Sequence, residues 1–228
     1  MLLKIAAALN ADQLRIVREH LHSADAPWVD GRVTAGYQGA PVKQNQQIDE
    51  HSPFAHQLGD LVLGALERHP TFISAVLPNR VYPPMFNRYA GGMHFGSHID
   101  GALRLIPGSG AKLRTDVSAT LFLNAPEDYD GGELQIEDTY GEQTIKLPAG
   151  DLVVYPSSSR HRVTPVTRGV RLASFFWVQS LVRDDAQRAL LFELDRAVQT
   201  LNVAQADAAA RLQLTGCYHN LLRMWSEI

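Results

Sequence analysis

Cysteine is nearly absent from this chain: Cys217 is the only one in 228 residues. A lone cysteine cannot close an internal disulfide or build a thiolate metal cluster, so disulfide-framed and zinc-ribbon classes are excluded. An excess of charge of either sign is also missing. The 21 basic and 24 acidic residues leave a formal net charge of −3, which gives no reason to expect nucleic acid or an anionic membrane as partner. No apolar run approaches the roughly 18–20 residues that a spanning helix needs. The apolar opening, Met1 to Leu9, lacks a basic leader and is interrupted by Lys4. It reads as a buried strand leading into a helix rather than as a signal peptide. These features together predict a cytoplasmic protein. Internal repeats and low-complexity tracts are absent.

What is present describes an ordinary globular chain, with 45% hydrophobic and 20% charged residues. The length allows one core with an appendage but not two large domains. Three regions differ in their periodicity. Residues 1–72 read as a helical part supporting the core. Asn10 is placed to cap a helix over 10–23, and a loop with Trp28 and Gly31 follows. Phe54, Leu58, Leu61, Val62 and Ala65 recur at helical steps over 51–69, with Pro70 closing the pattern. Residues 73–180 switch to short apolar or alternating runs: 73–78, 82–90, 115–124, 132–137, 143–147, 151–155, 161–166 and 170–179. Gly, Pro, Asn and Asp separate them, which predicts a sandwich or jelly roll. Asp130-Gly131-Gly132 reads as a hairpin turn and Pro148-Ala149-Gly150-Asp151 as a second turn. Residues 181–228 return to helical spacing as a C-terminal helical subdomain. Leu191, Leu194, Val198 and Leu201 form one stripe, Gly216 is a candidate helix terminator, and Cys217 is expected to be a buried thiol. These helices need a surface to cover, either the β-core or a second copy in a homo-oligomer.

The chemistry concentrates in Asn87 to Asp100. His98 and Asp100 are two apart, so on a strand both point to one face and can converge on an ion. His-x-Asp alone is weak evidence in a chain with 9 histidines. His161, on a late strand, is the best candidate for a third ligand. Two histidines and one carboxylate on one side of an ion leave open positions, the arrangement of non-haem Fe(II) oxygenases. Arg171 lies within the apolar run Val170 to Trp177. If it points inward it needs an anion: a dicarboxylic cosubstrate with its other end on the metal, or a protein carboxylate in a structural salt bridge. His94 is four residues from His98, too far along a strand to share the ion, and is expected to be a pocket or hydrogen-bonding residue. The acidic stretches at 127–130 and 137–138 lack calcium-loop spacing and read as solvated turns. Gly108-Ser109-Gly110 could form a lid or a plain surface loop. Arg104 and Arg114 flank it as candidate contacts for an anionic substrate. Trp177 and Trp225 are assigned to the core.

The run Tyr89-x-x-Gly92-x-x-Phe95-x-x-His98-x-Asp100 resembles the approach motif of 2-oxoglutarate- and Fe(II)-dependent dioxygenases. It is most similar to the bacterial PKHD-type hydroxylases of the prolyl 4-hydroxylase group. Phe95 stands where that motif has a second tyrosine, so that hydroxyl is missing. Gly131-Gly132-Glu133-Leu134 and Pro148 to Asp151 also resemble family turns, and the likeness runs over nearly the whole chain. The resemblance implies a mainly β fold with flanking helices, built on a double-stranded β-helix (jelly-roll) core. It implies Fe(II) at His98, Asp100 and His161, the carboxylate of 2-oxoglutarate at Arg171, and Tyr89 near the cosubstrate. L-Ascorbate, which some members use to keep iron reduced, is a further expected cofactor. The implied activity is hydroxylation of a small-molecule, peptide or protein substrate, with release of succinate and CO2. Asp100 favours hydroxylation, since related halogenases lack this carboxylate. Demethylation by hydroxylation is an alternative outcome at the same site. An alternative of another class is a non-catalytic jelly-roll sensor of iron or 2-oxoglutarate.

Overall fold

The computed structural model describes residues 1–138 and 141–227. The chain begins with strand β1 (Leu3–Ile5), helix α1 (Ala11–His22) and strands β2 (Trp28–Asp30), β3 (Lys43–Gln44) and β4 (Gln46–Ile48). Asn10 caps α1 with its side chain on the backbone of Gln13, and the Gln13 side chain returns the bond to Asn10, a reciprocal box that satisfies two otherwise unpaired amides. Helices α2 (Pro53–Leu66) and α3 (Pro70–Val76) follow, then β5 (Pro78–Val81). Pro70 therefore opens a helix instead of closing one. As the first helical residue it lacks an amide that would be unpaired there anyway, and His69 caps the turn. The same helix occupies 73–76, where the sequence predicts a strand. The short apolar run Phe72 to Leu77 has no periodicity long enough to separate the two states.

The middle of the chain supplies β6 (Met85–Ala90), β7 (His94–His98), the hairpin β8 (Leu103–Leu105) and β9 (Lys112–Arg114), then β10 (Val117–Phe122), β11 (Tyr129–Gly131), β12 (Leu134–Asp138), β13 (Gly141–Ile145), β14 (Leu152–Pro156), β15 (His161–Val163) and β16 (Val166–Ser180). Helices α4 (Asp185–Val203) and α5 (Ala208–Trp225) end it. Among the described residues, nine strands form one sheet, with the central order β1-β14-β10-β16-β6-β4-β2, and five form the other, ordered β13-β12-β15-β7-β3. The fold is thus mainly antiparallel β with flanking helices, as a jelly roll requires. The N-terminal segment is more than helical support, because β1 to β4 join both sheets. These strands are only two or three residues long, below the length at which alternation can be read.

The larger sheet has two differently used faces. Phe86, Leu121, Val154, Leu172, Phe176 and Val178 point to α1, α2 and α3 and form one core with Val17, Leu58, Val62 and Phe72. Their neighbours in register, including Tyr89, Phe122, Val153 and Tyr155, turn to the space between the sheets and meet Leu134, Ile136 and Val163 of the smaller sheet. Strict period-two alternation along β16 separates the two. Helices α4 and α5 cover Leu77, Val182 and Leu191 through Leu221, Leu222 and Trp225.

Three local expectations are corrected. Gly131-Gly132 makes no hairpin between sequential strands: β11 pairs with β16, and β12 lies in the other sheet. Both glycines have φ near +70°, and a Cβ on Gly131 would sit 1.9 Å from the carbonyl oxygen of Pro165, so only glycine allows the chain to switch sheets here. Gly216 lies inside α5 rather than ending a helix. Cys217 is exposed, because α5 buries only a narrow stripe and Cys217 is off it.

Phe176, packed edge-on against Phe72, ties the sheet to α3. Phe176→Ala is expected to lower the unfolding free energy by about 3–5 kcal/mol in urea titrations.

Candidate metal centre

The centre is assembled by strand register. Strands β7 and β15 pair antiparallel so that His161 stands opposite His98. Their rings lie 4.2 Å apart between centroids. Asp100 follows β7, and His161 Nε2 is 3.8 Å from Asp100 Oδ2. One ligand atom from each of His98, Asp100 and His161 can be chosen so that all lie within 4.8 Å of one another. That spacing suits three donors about 2 Å from a shared ion.

The surroundings prepare these groups for a cation. His98 Nδ1 is 2.8 Å from the Gly96 carbonyl and His161 Nδ1 is 3.0 Å from that of Ser159. A carbonyl only accepts, so each Nδ1 carries a proton there, which leaves Nε2 as the atom of each ring available to the centre. Burial, and then the neighbouring His161, push the His98 pKa down to about 4, so this imidazole is neutral at physiological pH, the form that ligates. The Ser118 hydroxyl lies 2.6 Å from Asp100 Oδ2 and 2.8 Å from Ser157 Oγ. The carboxylate can only accept, so Ser118 donates to it and orients it. Phe95 stacks on His98 with centroids 3.6 Å apart. The ring that replaces the motif's tyrosine holds the imidazole by its face.

Arg171 comes from β16, directly across from Tyr89 of β6. It is 1% exposed, and its guanidinium lies 5.3 Å from the Tyr89 ring and 5.2 Å from that of Phe122. No ion pair to Arg171 exists among the described residues, and its Nε lacks a hydrogen-bond partner, as do Asn87 Oδ1 and Gln47 Nε2. A buried guanidinium without a carboxylate is expensive unless a ligand anion completes it. Burial pushes the Tyr89 hydroxyl up in pKa, so it stays a neutral donor. His98, Asp100, His161, Tyr89 and Arg171 all line one cavity of about 820 Å³.

The remaining candidates divide. Trp177 lines this cavity although it is mostly buried, whereas Trp225 packs in the helical layer. His94 bonds the Gly92 carbonyl through Nδ1 at 3.2 Å and is absent from the cavity lining. Residues 103–114 form the β8–β9 hairpin, and Arg104 reaches the cavity. Arg114 does not: it is held by Asp116 and Glu227. Sequence reasoning missed Ser118, Ser157 and Lys43. Ser118 and Thr120 alternate with apolar residues on β10, a trace of the cavity face. Lys43 sits on a strand of two residues and left no signal.

Known relatives match this chain over its whole length. A PKHD-type hydroxylase of Paraburkholderia xenovorans is 69% identical over 227 residues, covering 100% of both chains, and one of Stenotrophomonas maltophilia is 58% identical with the same coverage. The chain belongs to the PKHD-type hydroxylases. Residues 84–179 match the 2OG-Fe(II) oxygenase superfamily and residues 185–227 the PKHD-type hydroxylase C-terminal domain. Among solved structures, a Pseudomonas putida prolyl-4-hydroxylase is 25% identical, covering 78% of this chain and 92% of its own, with a TM-score of 0.52. A Trichoplax adhaerens prolyl hydroxylase in complex with a hypoxia inducible factor peptide fragment shares the fold at 19% identity. It covers 83% of this chain and 86% of its own, with a TM-score of 0.57. The protein is accordingly a 2-oxoglutarate-dependent hydroxylase that uses Fe(II), an enzyme rather than a sensor. Among the described residues no helix is long and apolar enough to cross a membrane.

Lys43 supplies a test of the cavity's electrostatics. Burial, reinforced by Arg104, lowers its pKa to about 8. The folded state therefore disfavours the charged lysine at pH 7, and this cost disappears as pH rises from about 8 to above the unfolded value. Lys43→Met is expected to raise ligand-free stability at pH 7 by about 1–3 kcal/mol. The gain should shrink toward pH 10 in urea titrations at both pH values.

Proposed function

We propose that His98, Asp100 and His161 hold Fe(II), that Arg171 binds the far carboxylate of 2-oxoglutarate, and that Tyr89 lies against the cosubstrate. The observation that carries this is the buried Arg171 guanidinium, which has no carboxylate partner among the described residues and whose Nε is unbonded, on the cavity that also contains the triad. The donor set fits the metal: two neutral imidazoles and one carboxylate are ligands that Fe(II) accepts, and they leave coordination positions free. When bound, iron and 2-oxoglutarate supply the oxygen activation that hydroxylates a substrate carbon and releases succinate and CO2.

The protein's own residues set the conditions. The Gly96 and Ser159 carbonyls fix the imidazole orientations, and Ser118 holds Asp100. Arg171, buried at 1% exposure, offers a planar fork to a carboxylate, and burial strengthens such a charge-assisted bond. Phe122, Leu134 and Val163 keep the inner wall dry. L-Ascorbate serves as an external reductant in this reading, with no residue assigned to it. Residues 73–180 supply most of the oxygenase core, strands of 1–72 complete its two sheets, and 181–227 form the C-terminal subdomain. Self-association would use the outer faces of α4 and α5, where Leu190, Leu212 and Met224 are exposed. The single exposed cysteine suits a cytoplasmic setting. The substrate is a small molecule or the side chain of a peptide or protein, and the product a stable alcohol.

The anaerobic protein with Fe(II) and 2-oxoglutarate is expected to show a weak visible charge-transfer band, and admitting oxygen should form succinate. His161→Ala should lose iron, read by metal analysis after desalting. Arg171→Ala should retain iron yet need on the order of 100-fold more 2-oxoglutarate to reach the same band intensity. Iron retained at full stoichiometry in His161→Ala would contradict the ligand assignment. Ser118→Ala is expected to weaken Fe(II) binding about 10–100-fold in competition with a chelator.

A further inference from the structure

The cavity holds more positive charge than one dicarboxylate can satisfy. Apart from Arg171, two further cations reach it, Lys43 from β3 and Arg104 from β8. Lys43 is 4% exposed. Its ammonium lies 3.1 Å from Thr34 Oγ1 and 5.0 and 5.9 Å from the Phe95 and Phe175 ring centres. The Arg104 guanidinium lies 3.9 Å over Trp177 and 5.0 Å over Tyr82. Neither cation enters a salt bridge among the described residues, and Arg104 makes Lys43 costlier to keep charged. The carboxylates that face Lys43 are Asp100, Asp30 and Glu50, and all are engaged elsewhere. Asp30 pairs with Arg32, Glu50 accepts from the Tyr82 hydroxyl, and Asp100 belongs to the triad. The Thr34 hydroxyl, the aromatic rings and carboxylates engaged with other groups compensate these charges, which is weaker than a direct carboxylate partner.

Beside the two cations the cavity is walled by apolar rings, whereas Gln47, Asn87, Ser118 and Thr120 line it elsewhere. Phe175 and Trp177 wall it near the two cations. At its mouth Val33, Tyr37, Ile99, Leu103 and Leu105 stay exposed. Large apolar side chains gathered on one rim mark a surface that an apolar ligand covers. We propose that the substrate is an organic acid with an apolar body, its anionic group held between Lys43 and Arg104 and its body lying against Phe175, Trp177 and the rim. This rests on the assignment of Arg171 to 2-oxoglutarate, which leaves the other two cations for the substrate. A neutral prolyl peptide would leave the buried Lys43 and the half-exposed Arg104 without an anion.

The test is calorimetric titration of the anaerobic protein, loaded with Fe(II) and 2-oxoglutarate, using 3-phenylpropanoate and decanoate and the primary amide of each. The acids are expected to bind at least about tenfold more tightly than their amides. Lys43→Met and Arg104→Leu should each bring the two toward parity, while Lys43→Arg and Arg104→Lys retain most of the preference. Arg104 is half-exposed, so its variants still report if the buried Lys43 position tolerates no change. Arg168→Gln, altered at a surface ion pair with Asp130, should bind the acids as the parent does. Equal binding of acids and amides, no binding of any probe, or a preference that survives both charge removals would overturn the proposal. So would a Lys43→Met protein that keeps the acid preference but needs more 2-oxoglutarate, since Lys43 would then serve the cosubstrate. Failure of the parent to develop the charge-transfer band would instead sink the iron and 2-oxoglutarate assignment, and this proposal with it. The band together with equal acid and amide binding would sink this proposal alone.

Discussion

The pairing of β7 with β15 places the His161 ring against the His98 ring, and the rest of the centre depends on that register. Side chains alternate along a strand, so a slip of one residue would turn His161 away from the cavity and bring Arg162 into its place. The register is held by the apolar residues that flank it. Val163 is buried between the sheets with Leu134 and Ile136, and Phe95 packs against the same cluster. The hydrophobic contacts that close the jelly roll therefore also set the distance between the two imidazoles. Function and folding share one constraint here, and neither can be changed without the other.

The same alternation governs β16. Leu172, Phe176 and Val178 face the helices and carry much of the burial that stabilises the sheet. Arg171, Phe175 and Trp177 face the cavity. One strand is thus anchored strongly enough on one face to hold a costly charge on the other. Burial on the helical side of the sheet offsets the buried Arg171 guanidinium, and a bound anion would reduce its cost. Packing thus holds the guanidinium in place without a bound anion, which reduces the ordering that binding one would require.

Much of the centre was legible in advance. The i, i+2 spacing of His98 and Asp100 is local, and a strand forces both to one side. Arg171 could be singled out because a charge in an otherwise apolar strand must be either an error of reading or a site. The choice between a cosubstrate and a protein carboxylate could not be made from residue order, since a salt-bridge partner may come from anywhere in the chain. The long strands and the two long C-terminal helices were also readable, because their periodicity extends over many residues. The failures fall where periodicity is too short to decide. Residues 73–76 form a helix begun by Pro70, the N-terminal strands are two or three residues long, and Gly131-Gly132 turns between sheets rather than within one. Cys217 was misplaced because helical spacing shows which residues share a face but not which face meets the core.

By itself the sequence determined which side chains could ligate a metal, the spacing of His98 and Asp100, the β-rich middle and the helical end, all of which follow from local geometry and side-chain chemistry. Only the tertiary structure decided that His161 meets His98 and that Arg171 lacks a carboxylate. It alone brought Ser118 to Asp100 and set Lys43 and Arg104 on the same cavity. Those facts depend on which strands pair and in what register, and pairing is chosen by burial summed over the whole chain rather than by any one segment.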